Sequence, residues 1–186
     1  MTSPAPLRIV TFHLNQVGDL LFSLPALACL RAGFPGARVT ALVRPNLVGL
    51  LECSGLVDAS LERPRRGWLA RIRLARQLRR ERFHVAVSFS QSIECVLLAR
   101  LTGAAVRAGF SGEPLAAWFT VRVEKTGPPS AANNLRLVQA LGCPAVKKTY
   151  VGLVAPSHQD RKDAERLLAQ AGASSEMTET IHRRRN

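Results

Sequence analysis

The sequence predicts an α/β domain built on a mostly parallel sheet with flanking helices. Short runs rich in β-branched residues alternate with longer segments whose apolar residues recur at helical spacing. That alternation favours right-handed βαβ units. Of 186 residues, 47% are hydrophobic and 21% charged, so a packed core is affordable and a disordered chain is excluded.

Residues 7–12 form the first expected strand, a loop over 14–18 and Asp19 follow, and a helix begins at Leu20. Leu20, Leu21, Leu24, Leu27 and Leu30 lie at helical spacing. Pro25 falls inside this run and is expected to kink or locally break it. Gly33, Pro35 and Gly36 end it. Residues 39–43 are the second strand. Pro45 then opens a short helix to Cys53, at the position where proline is tolerated. Residues 57–61 read as the third strand and 67–82 as a long basic helix. The fourth strand is 85–89, followed by a helix over 93–101. Residues 106–110 and 119–123 are weaker strands. A helix over 134–141 stops at Gly142 and Pro144, and a last helix spans 159–171. The expected organisation is one domain over 1–156, a connecting helix over 157–173, and a polar, disordered tail over 174–186.

Charge is the outlier, with 26 Lys and Arg against 13 Asp and Glu, or +13. Such a surface suits an anionic partner or is a solvated exterior. Aromatic residues are 5%, and no nucleic-acid-binding motif is present, so nucleic acid has little support. The four cysteines and four histidines are scattered without zinc spacing, so no metal site is expected. No apolar stretch is long enough to span a bilayer, and residues 1–7 lack a signal-peptide pattern, which points to the cytoplasm.

Ligands of open α/β sheets lie beyond the carboxyl ends of the strands. The first such loop is Asn15-Gln16-Val17-Gly18-Asp19. Gly18 permits a tight turn or close backbone approach. Asp19 is either an N-cap or a carboxylate that takes a proton from a substrate hydroxyl. No GxGxxG is present, so a nicotinamide cofactor is not supported. The second candidate is the run from Arg63 to Arg82, with nine arginines and one acid, Glu81. On a helix, Trp68, Ile72, Ala75 and Leu78 would line the inner face. The arginines are then a solvated face, a membrane-surface patch or a clamp on an anionic substrate.

Several stretches together resemble glycosyltransferase family 9, the heptosyltransferases. They are the opening strand with Gly18-Asp19 and Leu24-Pro-Ala-Leu27, then Phe34-Pro-Gly-Ala-Arg-Val-Thr-Ala-Leu-Val-Arg-Pro45 and Arg82-Phe-His-Val-Ala-Val87. Leu97-Leu-Ala-Arg-Leu-Thr-Gly-Ala104, Arg107-Ala-Gly-Phe110 and Glu113-Pro-Leu-Ala116 fit the same pattern. The resemblance spans about residues 7–172. It implies the N-terminal half of a GT-B fold, two Rossmann-like domains around a cleft. The implied reaction transfers a sugar with inversion from a nucleotide-sugar such as ADP-heptose to an anionic lipopolysaccharide inner-core acceptor. It implies no metal and no other cofactor, and a chain peripheral at the inner face of the inner membrane. Asp19 matches the family's proposed general base. Asn15, Gln16 and Gly18 would shape the cleft floor, and Arg63, Arg65 and Arg66 would hold acidic acceptor sugars. Three departures stand out. The family's Asp-x-Gln-Gly is Ser88-Phe-Ser-Gln91 here, a basic position is Glu94, and an Arg position is Gly112. No strand and Pro-Gly phosphate motif follow residue 171, so a truncated chain, lacking the donor domain and inactive alone, is the expectation. The alternative is a non-catalytic basic module that binds an anionic membrane surface or nucleic acid.

Overall fold

The computed structural model describes residues 6–14, 16–112, 114–155 and 158–170. The described residues up to Val154 form one compact unit, and those from Ala155 belong to a second. The expected tail, 174–186, lies outside the described residues.

In the first unit the strands are β1 (Arg8–His13), β2 (Arg38–Val43), β3 (Ala59–Glu62), β4 (Val85–Ser88), β5 (Val106–Phe110) and β6 (Val121–Val123). All pair in parallel, in the order β3-β2-β1-β4-β5-β6. The helices are α1 (Val17–Gly33), α2 (Val48–Glu52), α3 (Trp68–Arg80), α4 (Ile93–Thr102) and α5 (Ser130–Gln139). The second unit contains α6 (His158–Gln170).

Strand alternation splits the core in two. Ile9 of β1 packs with Leu24, Leu27 and Leu30 of α1 and Leu137 of α5 on one face. Val10 and Phe12 pack with Leu74 and Leu78 of α3 and Val96 and Ala99 of α4 on the other. The expected sheet and its flanking helices are therefore present.

Several local expectations need correction. Helix α1 starts three residues early and runs unbroken through Pro25. A proline at this position leaves the Leu21 carbonyl without its N–H. The carbonyls on either side are served by side chains. Ser23 Oγ donates to Leu20 O at 2.7 Å, and Asn134 Nδ2 of α5 donates to Phe22 O at 3.1 Å. Strand β3 begins later than expected because Asp58 is drawn aside. Its carboxylate accepts from Val39 N–H at 2.7 Å and from both Arg31 Nη atoms at 2.8 and 3.0 Å. Helix α5 starts a turn early, at Ser130. Its buried Asn133 accepts from Thr126 N–H and donates to Gly127 O, so polar residues conceal the start.

The inner face of α3 is also misread by sequence spacing. Only Leu74 and Leu78 are buried. Trp68 is 70% exposed and Ile72 37%, so the helix meets the core through its C-terminal half.

Packing is close where α1 ends. A Cβ on Gly33 would lie 2.9 Å from the Cys143 Cα and 2.7 Å from its Sγ. Gly33→Ala should therefore lower the unfolding free energy by ~1–3 kcal/mol in urea titrations.

Candidate functional site

The strand order reverses between β1 and β4, since β1 is followed by β2 on one side and by β4 on the other. Such a switch point opens a crevice at the carboxyl edge of the sheet. Here a small recess is lined by His13, Asp19, Leu20, Phe89 and Ser90. One short link joins its walls and a second shapes the exit of β4. Leu14 N–H donates to Ser90 Oγ at 2.7 Å, and Ser88 Oγ donates to Ser90 O at 2.8 Å.

Asp19 is exposed on this rim and is not the N-cap. That place belongs to Gln16, whose extended backbone precedes the first turn. Asp19 sits three residues on and accepts from the Gln16 backbone N–H at 3.4 Å, the return half of a capping box. The long bond ties the exposed carboxylate only loosely. Gly18 is helical, with φ outside the left-handed region, so no tight turn requires it. A Cβ there would meet nothing within 4 Å. Its missing side chain instead leaves open space beside Asp19. Asn15 lies outside the described residues.

Beneath this rim His13 is buried and neutral. Ser23 Oγ gives its single proton to Leu20 O, so at the 2.9 Å contact it accepts from His13 Nδ1–H. Nε2 then accepts from Thr11 Oγ1 at 3.0 Å. The ring stacks on Phe89, with centroids 5.0 Å apart. Burial pushes its pKa down from 6.5 to about 3. In the sequence His13 lies just past the expected strand 7–12, one of four scattered histidines with no role assigned.

A second concavity, of about 400 Å³, opens beyond β2 and β3. Arg44, Pro45, Asn46, Arg63, Pro64 and Arg65 line it. Arg44 Nε donates to Leu14 O at 2.8 Å, which links this wall to the exit of β1. Arg63 is committed elsewhere. Its Nε and Nη2 grip the two oxygens of Glu94 at 3.0 and 2.5 Å. Glu94 is thus the counter-ion of Arg63. Among the described residues no ion pair neutralises Arg44 or Arg65. Arg66 is exposed and does not line the cavity. The structure therefore gathers Gln16, Gly18 and Asp19 at one turn, and Arg63 and Arg65 at the neighbouring cavity. Arg44 was missed, although it follows a strand's carboxyl end just as Asp19 does.

No family model matches the chain, and it matches no curated protein. Solved structures do match. A glycosyltransferase family 9 protein from Veillonella parvula DSM 2008 superimposes with a TM-score of 0.77 at 19% identity, over 91% of this chain and 50% of that one. The chain has the fold of one half of that glycosyltransferase. The E. coli ADP-heptose lps heptosyltransferase II matches with a TM-score of 0.69 at 20% identity, over 91% of this chain and 52% of that one. E. coli heptosyltransferase WaaC with ADP gives 0.65 at 18%, over 75% and 48%. The chain thus spans about half the length of these family 9 structures. No helix of the described residues is long and apolar enough to cross a membrane. Those residues also hold no cluster of three metal-ligating side chains.

Two outcomes follow from this geometry. Gly18→Ala fills only open space in a helix, so it should raise stability by ~0.5–1 kcal/mol in thermal melts while weakening any ligand seated there. The second concerns His13, whose folded pKa lies below its unfolded value. Its stabilisation is complete above about pH 6.5. It falls by up to ~1.4 kcal/mol per pH unit below that, toward pH 3, as the unfolded chain takes up a proton. His13→Gln should flatten this part of the stability profile, whatever its effect on the plateau.

Proposed function

We propose that this chain is the acceptor-binding part of a family 9 glycosyltransferase of lipopolysaccharide core assembly. The donor would be a nucleotide-activated heptose such as ADP-heptose, and the acceptor an anionic inner-core glycolipid. One observation carries the reading: an exposed carboxylate, Asp19, stands at the switch-point recess with open space over Gly18 beside it. The likeness to heptosyltransferases, one of them solved with ADP and one with ADP-2-deoxy-2-fluoro heptose, supports the donor class.

In this reading an acceptor hydroxyl attacks the anomeric carbon of the donor from the face opposite the diphosphate. Its proton passes to an Asp19 oxygen. The anomeric C–O bond breaks, and the nucleoside diphosphate leaves with the electron pair, so the configuration inverts. Gln16 fixes the first turn that carries Asp19, and its N–H steadies the carboxylate. Arg44 and Arg65 attract acidic groups of the acceptor, and the Arg63–Glu94 pair holds the loop that presents Arg65. Cytoplasmic placement at the inner face of the membrane follows from such an acceptor.

The described residues of the first unit form one sheet, and the diphosphate side of the reaction belongs to the other half of the family fold. Residues 1–186 tested by themselves should bind acceptor and give no product. Joined to a donor half, in the same chain or another, the complex should transfer sugar. Asp19→Asn should then lower kcat by ~10²–10⁴-fold with acceptor affinity retained. Arg65→Ala should raise the acceptor KM and leave kcat nearly unchanged. Full activity of Asp19→Asn would refute the assignment of the base.

A further inference from the structure

The misread face of α3 points to a surface outside the site. On α3, Trp68, Leu69 and Ile72 are exposed, and on α4 Ile93, Leu97 and Leu101 form an exposed stripe at four-residue steps. The α4 stripe lines a groove together with Leu74, Ala75 and Leu98, and Trp68 and Leu69 stand exposed at the start of α3, outside its lining. It continues into a stretch lined by Ile72, Ala75 and Leu101, and the two parts enclose about 390 and 550 Å³. Arg71, Arg76, Arg79 and Arg100 stand on its walls. The single acid along it, Glu94, is already paired with Arg63.

We propose that this groove docks the chain onto an anionic lipid surface. Apolar side chains flanked by guanidinium groups match the boundary between headgroups and acyl chains. Trp68, 70% exposed, suits that depth. The charge argues against the other occupants. A second copy would press arginines against arginines on a chain of net charge +13. A nucleic acid would leave six apolar side chains facing phosphates and water. The inference deepens the proposed function. Helices α3 and α4 both start at the carboxyl edge of the sheet, after the Arg63–Arg65 loop and after β4, so docking through Trp68 and Ile93 would hold that edge at the lipid where a glycolipid acceptor resides.

The test is co-sedimentation of the chain with phosphatidylcholine vesicles, with and without phosphatidylglycerol. Trp68 fluorescence is followed in a Trp118→Phe background. Binding only to the anionic vesicles, with a blue shift of Trp68, is expected. Ile72→Ser/Leu101→Ser keeps every charge and should weaken binding at least ~tenfold, and Arg71→Ala/Arg76→Ala should weaken it comparably. Both pairs are exposed, and circular dichroism checks that they fold. Unchanged affinity in Ile72→Ser/Leu101→Ser would overturn the proposal, leaving only general attraction of a cationic chain. So would an equal Trp68 shift with duplex DNA, or a concentration-dependent dimer abolished by the same pair. Binding of a soluble, deacylated acidic acceptor should survive in both variants. Its loss in the unmodified chain would count against the proposed function and not against docking.

Discussion

The neutral imidazole of His13 sits where the chain leaves β1 and enters α1, and the carboxyl edge of the sheet is organised around it. Its Nδ1–H reaches Ser23 in α1, its Nε2 reaches back to Thr11, and its ring lies on Phe89 at the exit of β4. Three elements are thereby fixed to one buried group. Burying a polar ring is unfavourable unless both nitrogens are satisfied, and here both are. The position of Asp19 follows, because α1 can begin only where Ser23 meets this ring.

The second constraint is electrostatic. The loop after β3 carries Arg63, Arg65 and Arg66 in four residues, and like charges so close repel. Glu94 at the start of α4 takes Arg63 in a two-pronged pair and so anchors the loop to the neighbouring helix. One arginine serves the fold, which leaves Arg65 to face the cavity with Arg44.

The sheet was legible because parallel strands covered on both faces are near-continuous apolar runs, as in β1, β2 and β4. Helix boundaries were less so. Gln16 is a poor cap by propensity, which hid the true start of α1, and Pro25 suggested a break, yet the helix runs through it with Ser23 and Asn134 bonding the carbonyls on either side of the open one. The face of α3 was misjudged because spacing alone cannot tell which half of a helix meets the core. Arg63–Glu94 spans 31 residues and Ser23–His13 depends on the β1–α1 angle, so neither is visible in local sequence. The Gly-Asp turn was legible as a place, while its geometry, with Asp19 inside the first turn and Gly18 as open space, was not.

The carboxyl edge of the sheet is the proposed seat of an acidic sugar. The most direct measurement is an NMR titration of the ¹⁵N-labelled chain with a deacylated, phosphorylated inner-core oligosaccharide. The backbone amides of Gln16, Gly18, Asp19, Asn46 and Arg65 should shift together and saturate with a single affinity. Shifts confined to α3 and α4, or scattered over the arginine-rich surface without saturation, would contradict it.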